Sequence, residues 1–373
     1  MAKDINTQAV LAMRGAGYYS ERTAGARNVI NEAAQMVLKA LAEIPASPRL
    51  RIADYGAADG GTSREMWDMV IGQRRAQDDN RQIEMIYTDL ASNDFSTLFR
   101  MMQGMQGDPR HAYQTHYDNV FVHGCGTGFH QQLMADQSLN IGFSATAMHY
   151  VSVKPCEIPT HVHAVRADAQ SKAAFAKQAA KDWEDILLAR AAELVPGGRF
   201  ICLNFGIDED GHYLGNTGGH HMFDQFDRFW KALYVNGTIT KQEYERASFA
   251  QYYRKIDEFC APFADPQSRV SKAGLRLKSC HSKITKCPYE AAFLEAGGVG
   301  GTMSNSDYAD SLIPTMRSWS ETVFRTALDG RDAQDITTII DRFYNAYRDE
   351  VVANPAGHAM DYVHIVLDIE KAV

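Results

Sequence analysis

The chain has 373 residues and a mass of 41.5 kDa, enough for one large α/β domain with an insert or for two domains. Apolar residues make up 45% and charged residues 23%, which excludes a wholly disordered, collagenous or coiled-coil chain. The formal charge of −8 and pI near 5.9 argue against a nucleic-acid binder, and the longest apolar runs fall short of the roughly 18 residues of a membrane span.

Residues 13–25, MRGAGYYSERTAG, read as a glycine-rich aromatic loop. A helix is predicted from about Arg27 to Ala42, with Val29, Ile30, Val37, Leu38 and Leu41 on one apolar face. Leu50–Tyr55 is a short strand, a glycine-rich turn follows, and Thr62 or Ser63 can cap the next helix. Further strands are expected at 83–89, 120–125 and 140–146. A long alanine-rich helix is predicted from about Ser171 to Leu194, closed by Pro196-Gly197-Gly198, and a strand follows at 199–205. This alternation predicts a parallel, doubly wound α/β sheet. Past 205 the pattern becomes helical and aromatic over 219–262, then strand-like at 275–285. It is helical again over 306–353 and closes in a strand at 360–370. That reads as a helical cap inserted between the late strands.

Six cysteines, Cys125, Cys156, Cys202, Cys260, Cys280 and Cys287, include no C-x-x-C pair. They read as incidental thiols of a reduced, cytoplasmic protein, and the start MAKDINTQAVLAM does not read as a signal peptide. The histidines show no H-E-x-x-H spacing, so no metal is expected, and no G-x-S-x-G elbow is present.

The turn Asp54-Tyr55-Gly56-Ala57-Ala58-Asp59-Gly60-Gly61 is the strongest local signal. Its small residues let a ligand approach the backbone, at the strand end where open α/β sheets bind ligands. Asp54 and Asp59 would repel a pyrophosphate. They suit a ligand with an ammonium group, such as S-adenosylmethionine (SAM). Asp89, at the end of the second strand, is placed to accept from ribose hydroxyls. The plain alternatives are a tight turn and an N-cap aspartate.

The order of motifs resembles the SABATH methyltransferases, which methylate small carboxylic acids and some ring nitrogens. The resemblance covers nearly the whole chain. It is carried by Met13-Arg14-Gly15-Ala16-Gly17-Tyr18-Tyr19, Ile52-Ala53-Asp54-Tyr55-Gly56 and Tyr87-Thr88-Asp89-Leu90-Ala91-Ser92-Asn93-Asp94-Phe95. Phe121-Val122-His123-Gly124 with Phe129, Ser144-Ala145-Thr146-Ala147-Met148-His149-Tyr150-Val151-Ser152 and Gly197-Gly198-Arg199-Phe200 complete it. It implies a Rossmann-like class I methyltransferase sheet with an inserted α-helical cap, SAM as cofactor, a small-molecule acceptor and a homodimer. By position it implies SAM contacts from Tyr19, Thr23, Asp54, Gly56, Asp59, Asp89, Leu90, Gly128, Phe129, Ser144 and Ala145. The SAM domain would comprise 1–205, 271–290 and 355–373, with 1–26 as a lid; 206–270 and 291–354 would form the cap around the acceptor.

Two departures concern the acceptor. Ala26 and Tyr150 stand where acid-methylating members carry a glutamine and a tryptophan. Ala26 cannot donate a hydrogen bond, whereas the Tyr150 hydroxyl can. Tyr150 and His149 are therefore the expected acceptor-side residues, and the 219–262 region, dense in rings such as Phe223, Phe226, Phe229 and Trp230, the expected pocket roof. A carboxylate needs no base, whereas a phenol or ring nitrogen does, with His149 as candidate.

Overall fold

The computed structural model describes residues 17–373. The strands are β1 (Arg49–Tyr55), β2 (Gln82–Asp89), β3 (Val120–Gly126), β4 (Leu139–Ala145), β5 (Leu194–Ile207), β6 (Arg254–Lys255), β7 (Leu275–Thr285) and β8 (Tyr362–Lys371). Seven of them form one sheet in the order β3-β2-β1-β4-β5-β8-β7, with β6 attached to β5.

Strands β1 to β5 are parallel, as the alternating pattern requires. The last strand lies outside the stretch that pattern covers: β8 runs antiparallel to both β5 and β7. The cause is the connection. Three helices, Pro288–Glu295, Asn305–Ala327 and Ala333–Ala353, separate β7 from β8. The chain leaves the sheet at Thr285 and re-enters beside it at Tyr362, so β8 starts where β7 finishes and runs back.

The long helix Ala169–Glu193 starts where the Asp168 carboxylate accepts from the Gln170 and Ser171 amides, both at 3.0 Å. The single helix expected over 27–42 is two, Ala24–Glu32 and Ala34–Glu43, which break at Ala33. The expected loop over 13–25 also differs, since Tyr18–Arg22 is a helical turn; residues 13–16 lie outside the described residues.

The two faces of the sheet bury separate cores. Ile52, Phe143, Ile201 and Leu203 face the helices on one side with Trp67, and Ala53, Tyr55, Phe200 and Cys202 face Trp183 and Leu187 on the other. Three of the four rings named for the expected pocket roof are core instead. Phe223, Phe226 and Trp230 of helix Met222–Val235 are fully buried. Phe226 packs edge-on against Phe324 at 5.8 Å, and Trp230 against Phe343 at 5.5 Å. The helical repeat puts these rings on the face turned to the neighbouring helices, where burying them contributes most.

Candidate active site

The turn after β1 is pinned to β2. The Gly56 and Ala57 amides both donate to the Thr88 carbonyl, at 2.9 and 3.1 Å. Gly56 has φ +73°, and a Cβ there would lie 2.4 Å from the Ala147 Cβ. Only glycine satisfies both conditions. Ala58 also holds a left-handed conformation, φ +49°. Its amide donates to Asp89 Oδ2 at 2.7 Å, while Asp89 Oδ1 accepts from the Leu90 amide at 2.7 Å. Burial raises the Asp89 carboxyl above its ordinary value.

These residues line a cleft of about 650 Å³ at the carboxyl end of the parallel strands. Gly56, Ala58, Thr62, Asp89, Leu90, Gly128, Phe129, Ala145 and Tyr150 are on its wall. Its chemistry fits a nucleoside. Asp89 presents a carboxylate to a diol, and Leu90 and Phe129 offer apolar surface to a flat base. Among the described residues no lysine or arginine lines it, which disfavours a pyrophosphate.

A second cavity of about 390 Å³ adjoins the first. Thr23, His149, Tyr150, Phe205, Gln251, Tyr253, Trp319 and Tyr362 contribute to its wall. Thr146 and Tyr150 belong to both cavities. Thr146 takes φ +54°, rare for a β-branched residue, so the junction is a strained point. His149 is 2% exposed, with its ring 4.6 Å from Tyr150 and 4.9 Å from Phe205. Burial holds its imidazole well below the ordinary 6.5, with His364 and His163 adding to the effect, so it is neutral at pH 7.

Several expected contacts fall elsewhere. Asp54 is 3% exposed and absent from the cleft wall; its Oδ2 accepts from the Trp67 indole at 3.0 Å behind the turn. Burial raises its carboxyl to about 6. Asp59 is also buried behind the turn, accepting from the Ser20 hydroxyl at 3.1 Å and the Gly61 amide at 3.1 Å. Ser144 spends its hydroxyl on the Tyr55 carbonyl at 3.0 Å, and Ala26 is buried in a helix, so neither meets the cavities. Thr23 lies on the inner cavity rather than the cleft. Tyr19 sits in the helical turn Tyr18–Arg22, and its side chain is outside the described residues.

Sequence reading missed Thr146, Gln251, Tyr253, Trp319 and Tyr362. Gln251 and Tyr253 come from the expected aromatic region, but from the segment after helix Lys241–Arg246 rather than from its bulky helix. Nothing local in the sequence marks them.

A ligand-sized cleft at the carboxyl end of a parallel sheet, adjoining an aromatic cavity, agrees with a class I methyltransferase architecture. A profile of the family described as SAM dependent carboxyl methyltransferase matches residues 9–372, and the chain belongs to that family. A probable S-adenosylmethionine-dependent methyltransferase of Arabidopsis thaliana is 29% identical over 238 residues, 57% of this chain and 60% of that protein. Gibberellic acid methyltransferase 1 of Arabidopsis thaliana is 25% identical over 237 residues, 58% of this chain and 61% of that protein. The matched stretch thus spans about three fifths of these relatives' length. The solved structure of a loganic acid methyltransferase with SAH superposes with a TM-score of 0.72 at 17% identity, covering 97% of this chain and 99% of that one. That likeness bears out the fold, the class I sheet with helical additions.

Proposed function

We propose that this chain transfers a methyl group from SAM to the carboxylate of a small, largely apolar or aromatic acid, giving a methyl ester. The observation that carries this reading is the pair of cavities meeting at Tyr150 and Thr146. One has the chemistry of a nucleoside site, and the other is largely aromatic. The relatives named for gibberellic and loganic acids support an acid as acceptor.

Bound SAM supplies an electrophilic methyl on a sulfonium sulfur. Asp89 holds the ribose, and Leu90, Gly128 and Phe129 flank the adenine. Asp54, behind the turn, supplies negative charge for the methionyl ammonium. Thr23 and Tyr150 stand at the acceptor side, where Tyr150 donates to the carboxylate. An acid with pKa near 4 is already ionised at pH 7, so the chain has no proton to remove. Alignment and exclusion of water then dominate, worth up to ~7–11 kcal/mol in favourable cases. The segments 206–270 and 291–354 act as the acceptor-enclosing cap, and 1–26 as its lid. We further propose a cytoplasmic homodimer.

A second reading is transfer to a phenolic oxygen or ring nitrogen. His149, on the inner wall with its Nδ1 unpartnered, is the group placed to take that proton, although the burial that keeps its imidazole neutral also makes it a weak base. Incubation with methyl-labelled SAM and a panel of small acids, phenols and purines separates the two. Label in a base-labile ester supports the first reading. Label in a base-stable ether or N-methyl product supports the second, and no transfer to any acceptor sinks both.

A further inference from the structure

The cleft wall includes Gly128, Phe129 and His130, which lie in an irregular segment, 127–134, between β3 and β4. Such a segment has no strand ladder to satisfy its backbone. Four of its backbone groups find partners at the end of helix Ala169–Glu193. Arg190 Nη1 donates to the Phe129 carbonyl at 2.9 Å, and Nη2 to the Gln131 carbonyl at 2.8 Å. Glu193 Oε1 accepts from the Leu133 amide at 2.5 Å and the Met134 amide at 3.2 Å.

The two side chains are both fully buried and bound to each other, Arg190 Nε to Glu193 Oε2 at 2.7 Å and Nη2 to Oε1 at 2.8 Å. Tyr55, at the end of β1, donates its hydroxyl to Glu193 Oε2 at 2.5 Å, and its ring lies 4.2 Å under the guanidinium. The pair therefore joins three pieces: the strand that carries the cofactor turn, the long helix, and the segment facing that turn. A buried ion pair is weak support for stability, since desolvation offsets much of its attraction. Its distinctive feature here is geometry. Four backbone groups of one short segment are fixed by two charges whose other contacts are each other and Tyr55.

We propose that Arg190 and Glu193 are positioning residues for the cofactor, setting the distance between Phe129 and the Gly56–Ala58 turn without touching the ligand. This rests on the reading of the cleft as the SAM site. Loosening the pair leaves the segment's carbonyls and amides unpartnered and lets Phe129 drift from the base.

The test is calorimetric titration with S-adenosylhomocysteine (SAH), each protein first checked for a native near-ultraviolet circular dichroism spectrum. The variants are Arg190→Lys, Tyr55→Phe and the charge-free pair Arg190→Gln/Glu193→Gln, which leaves no unpaired buried charge if a single change fails to fold. We expect the Gln/Gln pair to weaken SAH tenfold or more. Arg190→Lys, which keeps a charge and one carbonyl contact, should recover at least half of that loss on a logarithmic scale. Tyr55→Phe should weaken SAH about threefold. SAH affinities within twofold of the parent in every folded variant would overturn the inference. So would a Lys variant as weak as the Gln/Gln pair, which would mark general destabilisation. Failure of the parent itself to bind SAH would instead overturn the reading of the cleft.

Discussion

Replacing Gly56 with alanine tests the turn that places the cofactor. Two effects add. At φ +73° a Cβ is strained, costing ~1–2 kcal/mol. The new carbon would also stand 2.4 Å from the Ala147 Cβ, with Phe129 Cε1 at 3.7 Å. Carbon contacts settle near ~3.5–4.0 Å, so Ala147 must retreat by ~1.1–1.6 Å. Such overpacking adds ~1–3 kcal/mol, for a sum of ~2–5 kcal/mol. Gly211 provides the control, because it has φ +85° and nothing within 4 Å of a built Cβ. Gly211→Ala should therefore show strain alone, ~1–2 kcal/mol. The assays are urea unfolding at fixed slope and calorimetric titration with SAH. We expect Gly56→Ala to lose more stability than Gly211→Ala, and to weaken SAH at least tenfold because Ala147 also lines the cleft. Equal stability losses with parental SAH affinity would refute the argument.

Three further outcomes follow from the same contacts. Asp54 titrates near 6 in the fold against an ordinary 3.8, so its protonated form is favoured. Its stabilising contribution is complete below pH about 4 and is lost as pH rises through about 6. A ligand ammonium favours the ionised form, so SAH affinity should strengthen between pH 5 and 7.5. Asp54→Asn should weaken binding at pH 7.5 and flatten that slope; unchanged titrations would remove Asp54 from cofactor binding. His149, His163 and His364 are fully buried with depressed values, the latter two near 3. The unfolded chain takes up their protons first, so stability should fall as pH drops below about 6.5, by up to ~1.4 kcal/mol per unit for each. Three such uptakes outweigh the opposing Asp54 term. His364→Phe keeps the stack on Phe205, 4.5 Å away, removes two unpartnered ring nitrogens and should flatten the urea midpoint against pH. Tyr150→Phe should lower kcat/KM on the true acceptor tenfold to over a hundredfold, ~1.5–3 kcal/mol, with SAH affinity unchanged. Kinetics equal to the parent would leave its ring as wall alone.

What the sequence determined by itself is what short-range chemistry writes. The run Leu50–Tyr55, then small residues, then the helix Arg64–Arg75, reads locally as strand, turn and helix because apolar period and turn propensity act over a few residues. Asp89 was legible for the same reason, since strand ends in a parallel sheet share one edge and that edge holds the cleft, whereas Phe129 was legible only through the family resemblance. The tertiary structure decided the rest. Asp59 carries a turn-like signature, yet its carboxylate is taken by Ser20, 39 residues away. The inner cavity collects Thr23, Gln251, Trp319 and Tyr362 from four separate segments, and no local pattern encodes their convergence. The run of rings at 223–230 looked like a pocket roof because aromatic density is the same for a core and a binding wall. Only packing decides which face is left uncovered, and here Phe324 and Phe343 cover it. The state of His149 is likewise a property of its surroundings. An imidazole in sequence is a group poised near pH 6.5, and complete burial beside two other histidines is what makes it neutral.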